Sequence, residues 1–290
     1  MIPNCIIYCL DLIRIRQWYK NLVVFLALFF SANLFNFVYV KETIIAFFAL
    51  CFISSFGYII NDIIDIKKDQ SHPEKLNRPL AAGKIIQSEA IIVALTMASL
   101  GILLALQLNT ITLIFIILIC IVNLCYSFIL KHIMLADILT ISTLFVLRAI
   151  IGAVAISVTI SPWLILCPFF LSLFLSIGKR HGDLLLLKEK AFATRKVLQE
   201  YTPTFTFSLM NISTSLLVTS YALYSFLSPY NHLFYTLPFA LFVIFRYYHL
   251  LQSGSIITRH PEQIIKDLPL CAGLVVWTFV TFILIYIRFA

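Results

Sequence analysis

Long apolar runs separated by polar breaks recur along the chain. They predict membrane-spanning helices near 22–40, 43–60, 88–107, 110–129, 134–157, 161–178, 205–227, 232–250 and 269–288. Each run approaches or reaches the roughly 20 apolar residues that a helix needs to cross a bilayer. The runs are continuous rather than alternating, so they predict an all-α polytopic bundle of nine transmembrane helices and not an outer-membrane barrel. The breaks are unequal: those at 107–110 and 157–161 are tight, whereas 61–87, 179–204 and 251–268 are long and polar, and chemistry is expected on the long ones. With no low-complexity linker or heptad pattern, a single integral membrane domain over 1–290 is expected.

Composition narrows the class further. The chain is 61% hydrophobic and 12% charged, with a mean hydropathy of +1.00, which excludes a water-soluble domain. Its formal charge of +8 does not point to nucleic acid, because the basic residues are distributed as in membrane proteins. If the N-terminus lies in the cytoplasm, all of the 21 Lys and Arg except Lys41, Arg148, Arg246 and Arg288 fall on inside segments. That asymmetry sets the expected orientation. The first run follows Arg14, Arg16 and Lys20 without a small-residue cleavage pattern, so it is expected to stay in the protein. Seven cysteines, most within apolar runs, suit buried small hydrophobes better than a disulfide or zinc framework.

The densest candidate chemistry follows the second predicted span. Asp62, Asp65 and Asp69 stand at i, i+3 and i+7, so a helix continuing through them would present all three on one face, next to Asn61. Clustered carboxylates repel unless a cation neutralises them, and Mg²⁺ with oxygen ligands suits the set. The alternative is a solvated helix end beside Lys67 and Lys68. Lys75, Arg78 and Lys84 bring positive charge next to the acids, either as phosphate ligands or as ordinary cytoplasmic anchors. Asp137 and Arg148 are ionisable groups in or beside the fifth span, about three turns apart and too distant to pair with each other. Asp137 is expected near a polar cavity, whereas Arg148 is read as bundle glue through carbonyls or as a phosphate ligand. Lys179 and Asp183 are four residues apart beside Arg180, as a basic second cluster or a helical salt bridge. Tyr126 and Lys131 lie at the same inner surface, as substrate contacts or as belt and anchor.

The order Asn61-Asp62-x-x-Asp65-x-x-x-Asp69, followed by His72-Pro73-x-Lys75-x-x-Arg78-Pro79-Leu80-Ala81-Ala82-Gly83, closely resembles the first aspartate-rich motif of the UbiA superfamily of intramembrane prenyltransferases. Within it, the wording is similar to the branch that moves phosphoribosyl groups. Ile13–Asn21, with Arg14, Arg16, Gln17, Trp18, Lys20 and Asn21, resembles that branch's opening motif. Tyr126–Lys131, Asp137, Val146–Ala149 with Gly152 and Ala153, Lys179–Asp183, and Pro261 with Asp267 resemble later segments. Three positions depart from the pattern: Ile15 replaces a Pro, Gln70 stands where an Arg is frequent, and Asp183 replaces the longer Glu.

The resemblance implies a UbiA-type bundle in a bacterial cytoplasmic membrane with its active site facing the cytoplasm. It implies transfer of a 5-phosphoribosyl group from phosphoribosyl diphosphate to a polyprenyl phosphate lipid, with Mg²⁺ on Asp62, Asp65 and Asp69. The substrate contacts it implies are Lys20, Asn61, Lys75, Arg78, Tyr126, Lys131, Asp137, Arg148, Lys179, Arg180 and Asp183. The alternative within the superfamily moves a prenyl chain from its diphosphate to an aromatic acceptor; the basic character of 179–183 argues against it. A secondary transporter is a third class, weakened because the charges gather at the inner surface rather than at the midplane.

Overall fold

A computed structural model describes residues 4–70, 75–187, 196–230, 232–255, 257 and 261–287. The expected loop residues His72 and Pro73, and the cations Lys188, Lys190, Arg195, Arg259 and Arg288, lie outside the described residues. Every regular element among those described is helical. The elements are α1 Asn4–Leu12, a 3₁₀ stretch Ile15–Val24, α2 Phe25–Phe30, α3 Phe37–Ile64, α4 Ile66–Gln70, α5 Gln87–Ala105, α6 Thr110–Phe128, α7 Ala136–Ala155, α8 Pro162–Leu187, α9 Pro203–Leu227, α10 Leu237–Gln252 and α11 Leu268–Tyr286. The chain forms two compact units, Met1–Ile133 with Leu144–Ile160, and Met134–Thr143 with Ser161–Ala290.

Among the described residues, seven helical segments are long and apolar enough to cross a membrane, one of them α10 together with the 3₁₀ turn before it, Leu233–Gln252. The 25-residue α9 falls outside that set because Ser and Thr lower its hydropathy. It is nevertheless long enough, at about 1.5 Å per residue, to exceed a hydrocarbon core of about 30 Å. Its hydroxyls are satisfied within the helix: Thr206, Thr214 and Ser215 donate to the carbonyls of Thr202, Met210 and Asn211 at 3.0, 2.7 and 3.0 Å.

The first predicted span, 22–40, is not one helix. A 3₁₀ stretch and the six-residue α2 fill residues 15–30, and α3 begins at Phe37. Ala32 turns the chain with a φ of 58°, and the Asn33 amide donates to the Ser31 carbonyl at 2.9 Å. The Asn36 carboxamide then caps α3 by accepting from the Val38 N–H at 3.1 Å. A hydropathy average cannot see this short polar reversal between apolar flanks, and Lys41, expected in a connection, is inside α3. At the other boundary, α8 runs to Leu187, past the predicted end at 178, because Leu184–Leu187 contain nothing that stops a helix.

The first unit packs Val24, Leu50, Ile53, Ile116, Ile119 and Ile151 into one core. Gly152 permits the closest approach: a Cβ built there would lie 1.9 Å from the Val24 carbonyl oxygen, which is backbone and cannot swing away. Gly152→Ala should therefore destabilise the first unit by at least the roughly 1–3 kcal/mol typical of overpacking. A lowered melting temperature of the protein in detergent checks this. In the second unit, Phe174, Ile177, Met210, Leu217, Tyr247 and Leu251 form the corresponding core. Large apolar side chains cover the outside, for example Ile111, Ile114 and Ile121 on α6 and Val275 and Phe279 on α11. Such a surface is suited to lipid rather than to water.

Candidate active site

In the first unit α3 ends at Ile64, and α4 resumes at Ile66. Asp65 sits in the break, and its φ and ψ of −95° and 7° leave the helical region. The expected single face of three carboxylates is therefore divided. Asp62 and Asp69 are 3% and 2% exposed and converge on one atom: Arg78 Nη1 donates to Asp62 Oδ1 at 2.8 Å and to Asp69 Oδ2 at 2.6 Å. Asp65 is drawn elsewhere, and Lys131 Nζ donates to its Oδ2 at 2.8 Å and to Asn61 Oδ1 at 3.0 Å. Spacing fixes a shared face only while the helix is unbroken, and the break coincides with the carboxylate that takes a different cation.

Two further cations complete the cluster. Arg14 donates through Nη2 to Asp62 Oδ1 and lies over the Tyr58 ring, 5.1 Å from its centroid. Lys75 Nζ is 3.6 Å from Asp69 Oδ1. Arg14 holds a left-handed backbone, φ 53° and ψ 48°, which a non-glycine residue adopts only at a cost. Turn bonds pin it: its N–H donates to Asp11 at 3.2 Å, and its carbonyl accepts from Gln17 at 2.8 Å. Lys20 Nζ donates to Gln17 Oε1 at 2.9 Å. Tyr126 lies half-buried near the end of α6. Lys84, counted with the phosphate-binding cations, lies 4.8 Å from the Tyr8 ring centroid.

Arg148 is 7% exposed in the same unit, and its observed bonds are those of helix glue. Its Nε donates to Asn21 Oδ1 at 2.8 Å, and its Nη1 to the Leu144 carbonyl at 2.7 Å. Asn21 is itself 1% exposed and also receives the Ser54 hydroxyl at 3.4 Å. In the sequence, Asn21 is marked only by its place at the end of the 13–21 motif. The signal that would have found it is a carboxamide directly before an apolar run, where a buried polar group needs a partner.

The second unit holds its own polar cluster. Asp137, which is fully buried, accepts from Arg180 Nε at 2.9 Å and from the Tyr201 hydroxyl at 2.8 Å. Tyr201 in turn accepts the Leu135 N–H at 2.9 Å. Burial, and then the bond to Asp137, push the Tyr201 phenol well above its ordinary range, so it serves as a donor at any physiological pH. Tyr201 was not anticipated, because no local spacing ties it to a residue 64 positions earlier. Lys179 and Asp183 lie four residues apart on α8, and Asp183 is 8% exposed. At the start of α11, Asp267 caps the helix by accepting the Leu270 N–H at 2.8 Å, and the hydrogen-bonded Arg246 holds its carboxyl below the usual range.

The chemistry of the first-unit donors fits a hard divalent ion in kind. Two carboxylate oxygens already meet at one point of positive charge, with Asn61 and Asp65 adjoining. Among the described residues, no three acidic, His or Cys side chains group closely enough to hold a metal as they stand. Cations of the chain itself, Arg14, Lys75, Arg78 and Lys131, neutralise the acids.

Comparison with known proteins gives a consistent picture. The profile of the UbiA prenyltransferase family matches residues 21–254. The decaprenyl-phosphate phosphoribosyltransferase of Corynebacterium glutamicum is 36% identical over 218 residues, covering 74% of this chain and 66% of that protein. Proteins of the same name from Mycolicibacterium smegmatis and Mycobacterium tuberculosis are 34% and 33% identical over the same length, covering 69% and 72% of theirs. The chain thus spans about two thirds of the length of these relatives. Among solved structures, a UbiA homologue from Archaeoglobus fulgidus bound to GPP and Mg²⁺ superposes with a TM-score of 0.72 at 19% identity, covering 93% of this chain and 99% of that one.

Proposed function

The chain belongs to the UbiA prenyltransferase family, and from that premise we propose that it transfers a 5-phosphoribosyl group from phosphoribosyl diphosphate to a polyprenyl phosphate, such as decaprenyl phosphate, releasing diphosphate. The three relatives of that name, at 33–36% identity, support the choice of donor and acceptor. The observation that carries it is the alternation of acid and base at the end of α3, where buried Asp62 and Asp69 share the Arg78 guanidinium and Asp65 holds Lys131. A donor with a diphosphate at one end and a phosphate at the other needs such a mixed site.

In this reading Asp62, Asp65 and Asp69 would hold Mg²⁺, which would supply neutralisation for the charge of a departing diphosphate. For Asp65 to serve with the other two, its ion pair with Lys131 would have to open. Arg78, Lys75 and Lys131, which pair with these carboxylates in the structure, would be the contacts for phosphate oxygens, with Lys20, Asn61 and Tyr126 at the margin. Arg148 sets the position of Asn21. In the second unit the proposed substrate contacts are Lys179 and Asp183, with Asp137 and Arg180 holding their surroundings in shape. The acceptor is already anionic, so the residues need not remove a proton; they position and neutralise.

The protein is integral to the membrane, and we assign it nine spans, a cytoplasmic N-terminus and a site open to the cytoplasm, since the basic residues concentrate on those segments. Incubating the purified protein with Mg²⁺, phosphoribosyl diphosphate and polyprenyl phosphate should yield a phosphoribosylated lipid by mass spectrometry, and EDTA should abolish it. Prenylation of an aromatic acid from a polyprenyl diphosphate, without that lipid product, would instead identify a sister activity of the family.

A further inference from the structure

Beside the acidic cluster lies a cavity of about 180 Å³ lined by Asp11, Arg14, Arg16, Gln17 and Arg78, with Leu10 and Ile15. It has room for several waters at about 30 Å³ each, hence for a phosphate group and part of what carries it. Three arginines and one aspartate line it, so the balance of charge in its wall favours an anion, and guanidinium forks match phosphate oxygens bidentately. Lys20 takes the Gln17 Oε1, which leaves the carboxamide NH₂ as that side chain's donor end. Arg14, strained into the left-handed region, belongs to both the cavity and the Asp62 ion pair, and Arg78 to both the cavity and the Asp62–Asp69 bridge. The cavity is therefore contiguous with the acidic cluster but lacks its carboxylate pair, which suits a phosphate monoester that needs no metal.

We propose that this cavity, through Arg14, Arg16 and Gln17, binds the 5-phosphate of the phosphoribosyl donor. The assignment rests on the proposed function, in which the diphosphate end occupies the acidic cluster. A ribose would then span from the carboxylates to the cavity, with Arg78 at the junction. Specificity for a phosphoribosyl rather than a prenyl donor would reside in the segment between α1 and α2.

The test titrates the full chain in detergent with ribose 5-phosphate, which has the monoester alone, and with magnesium diphosphate, which has the opposite end alone. Arg16 is exposed, so Arg16→Gln leaves the packing intact. It should weaken ribose 5-phosphate and phosphoribosyl diphosphate about tenfold, as expected for losing one charge-assisted hydrogen bond, and leave magnesium diphosphate within about twofold. KM for phosphoribosyl diphosphate should rise similarly, with kcat within about twofold, and KM for polyprenyl phosphate should not move. Equal weakening of both probes, or no weakening, overturns the assignment. A rise confined to the KM for polyprenyl phosphate places the lipid phosphate in the cavity and overturns it equally. If the wild type turns over no phosphoribosyl diphosphate, the functional reading fails on its own; binding of ribose 5-phosphate, lost in Arg16→Gln, would still establish a monoester site.

Discussion

Asp62→Asn should lower phosphoribosyl transfer by about 10³-fold or more, equivalent to about 4 kcal/mol of transition-state stabilisation. The substitution keeps shape and one acceptor oxygen but removes the charge on which Arg14 and Arg78 both converge. It also replaces the second oxygen of the Asp62 carboxylate with an NH₂, which cannot accept from a guanidinium or ligate a cation. Among the described residues, Asp69 is the other carboxylate paired with Arg78. Two measurements separate the causes. If the effect lies in metal binding, the Mg²⁺-induced rise in melting temperature should shrink in proportion to the lost affinity. If it lies only in the arginines, the protein should melt lower without Mg²⁺, yet respond to Mg²⁺ as the wild type does. Full turnover in Asp62→Asn with an undiminished Mg²⁺ response would remove the metal assignment.

The acidic cluster was legible in the sequence because clustered carboxylates at the end of an apolar run are costly without a purpose. Their individual partners were not. The helix breaks at Asp65, and the cation that meets its carboxylate, Lys131, comes from 66 residues away. Hydropathy located most of the long helices, since each needs a lipid-facing length, but it merged α2 with the start of α3 across the Ala32 turn. In the sequence, Arg14 and Arg16 stand out as charges that orient the N-terminus and as part of the 13–21 motif. Their convergence on a cavity follows from a left-handed residue and two turn bonds, which neither charge counting nor periodicity detects. Arg148 shows the reverse case: its two readings were glue and phosphate ligand, and the bonds to Asn21 and the Leu144 carbonyl are those of glue.

Asp137→Ala should have the largest effect on stability. The carboxylate is fully buried and is the ion-pair partner of Arg180, itself 2% exposed. Removing it leaves a buried guanidinium without its counter-charge, at a cost of about 3–5 kcal/mol. That is a large share of the roughly 5–15 kcal/mol that holds a typical domain together. It also strands the Tyr201 hydroxyl, whose other bond is to the Leu135 N–H. Tyr201→Phe alone should cost less, about 1–3 kcal/mol, because the ion pair survives. Asp137→Ala combined with Arg180→Met should recover much of the loss, since the second change removes the stranded charge, and the cycle should show strong coupling. Melting curves in detergent without substrate read these effects directly. They also decide what Asp137 is for: a stable Asp137→Ala protein that binds no donor would make the carboxylate a substrate contact. A melting loss reversed by Arg180→Met makes it the anchor that holds α8 against the start of α7.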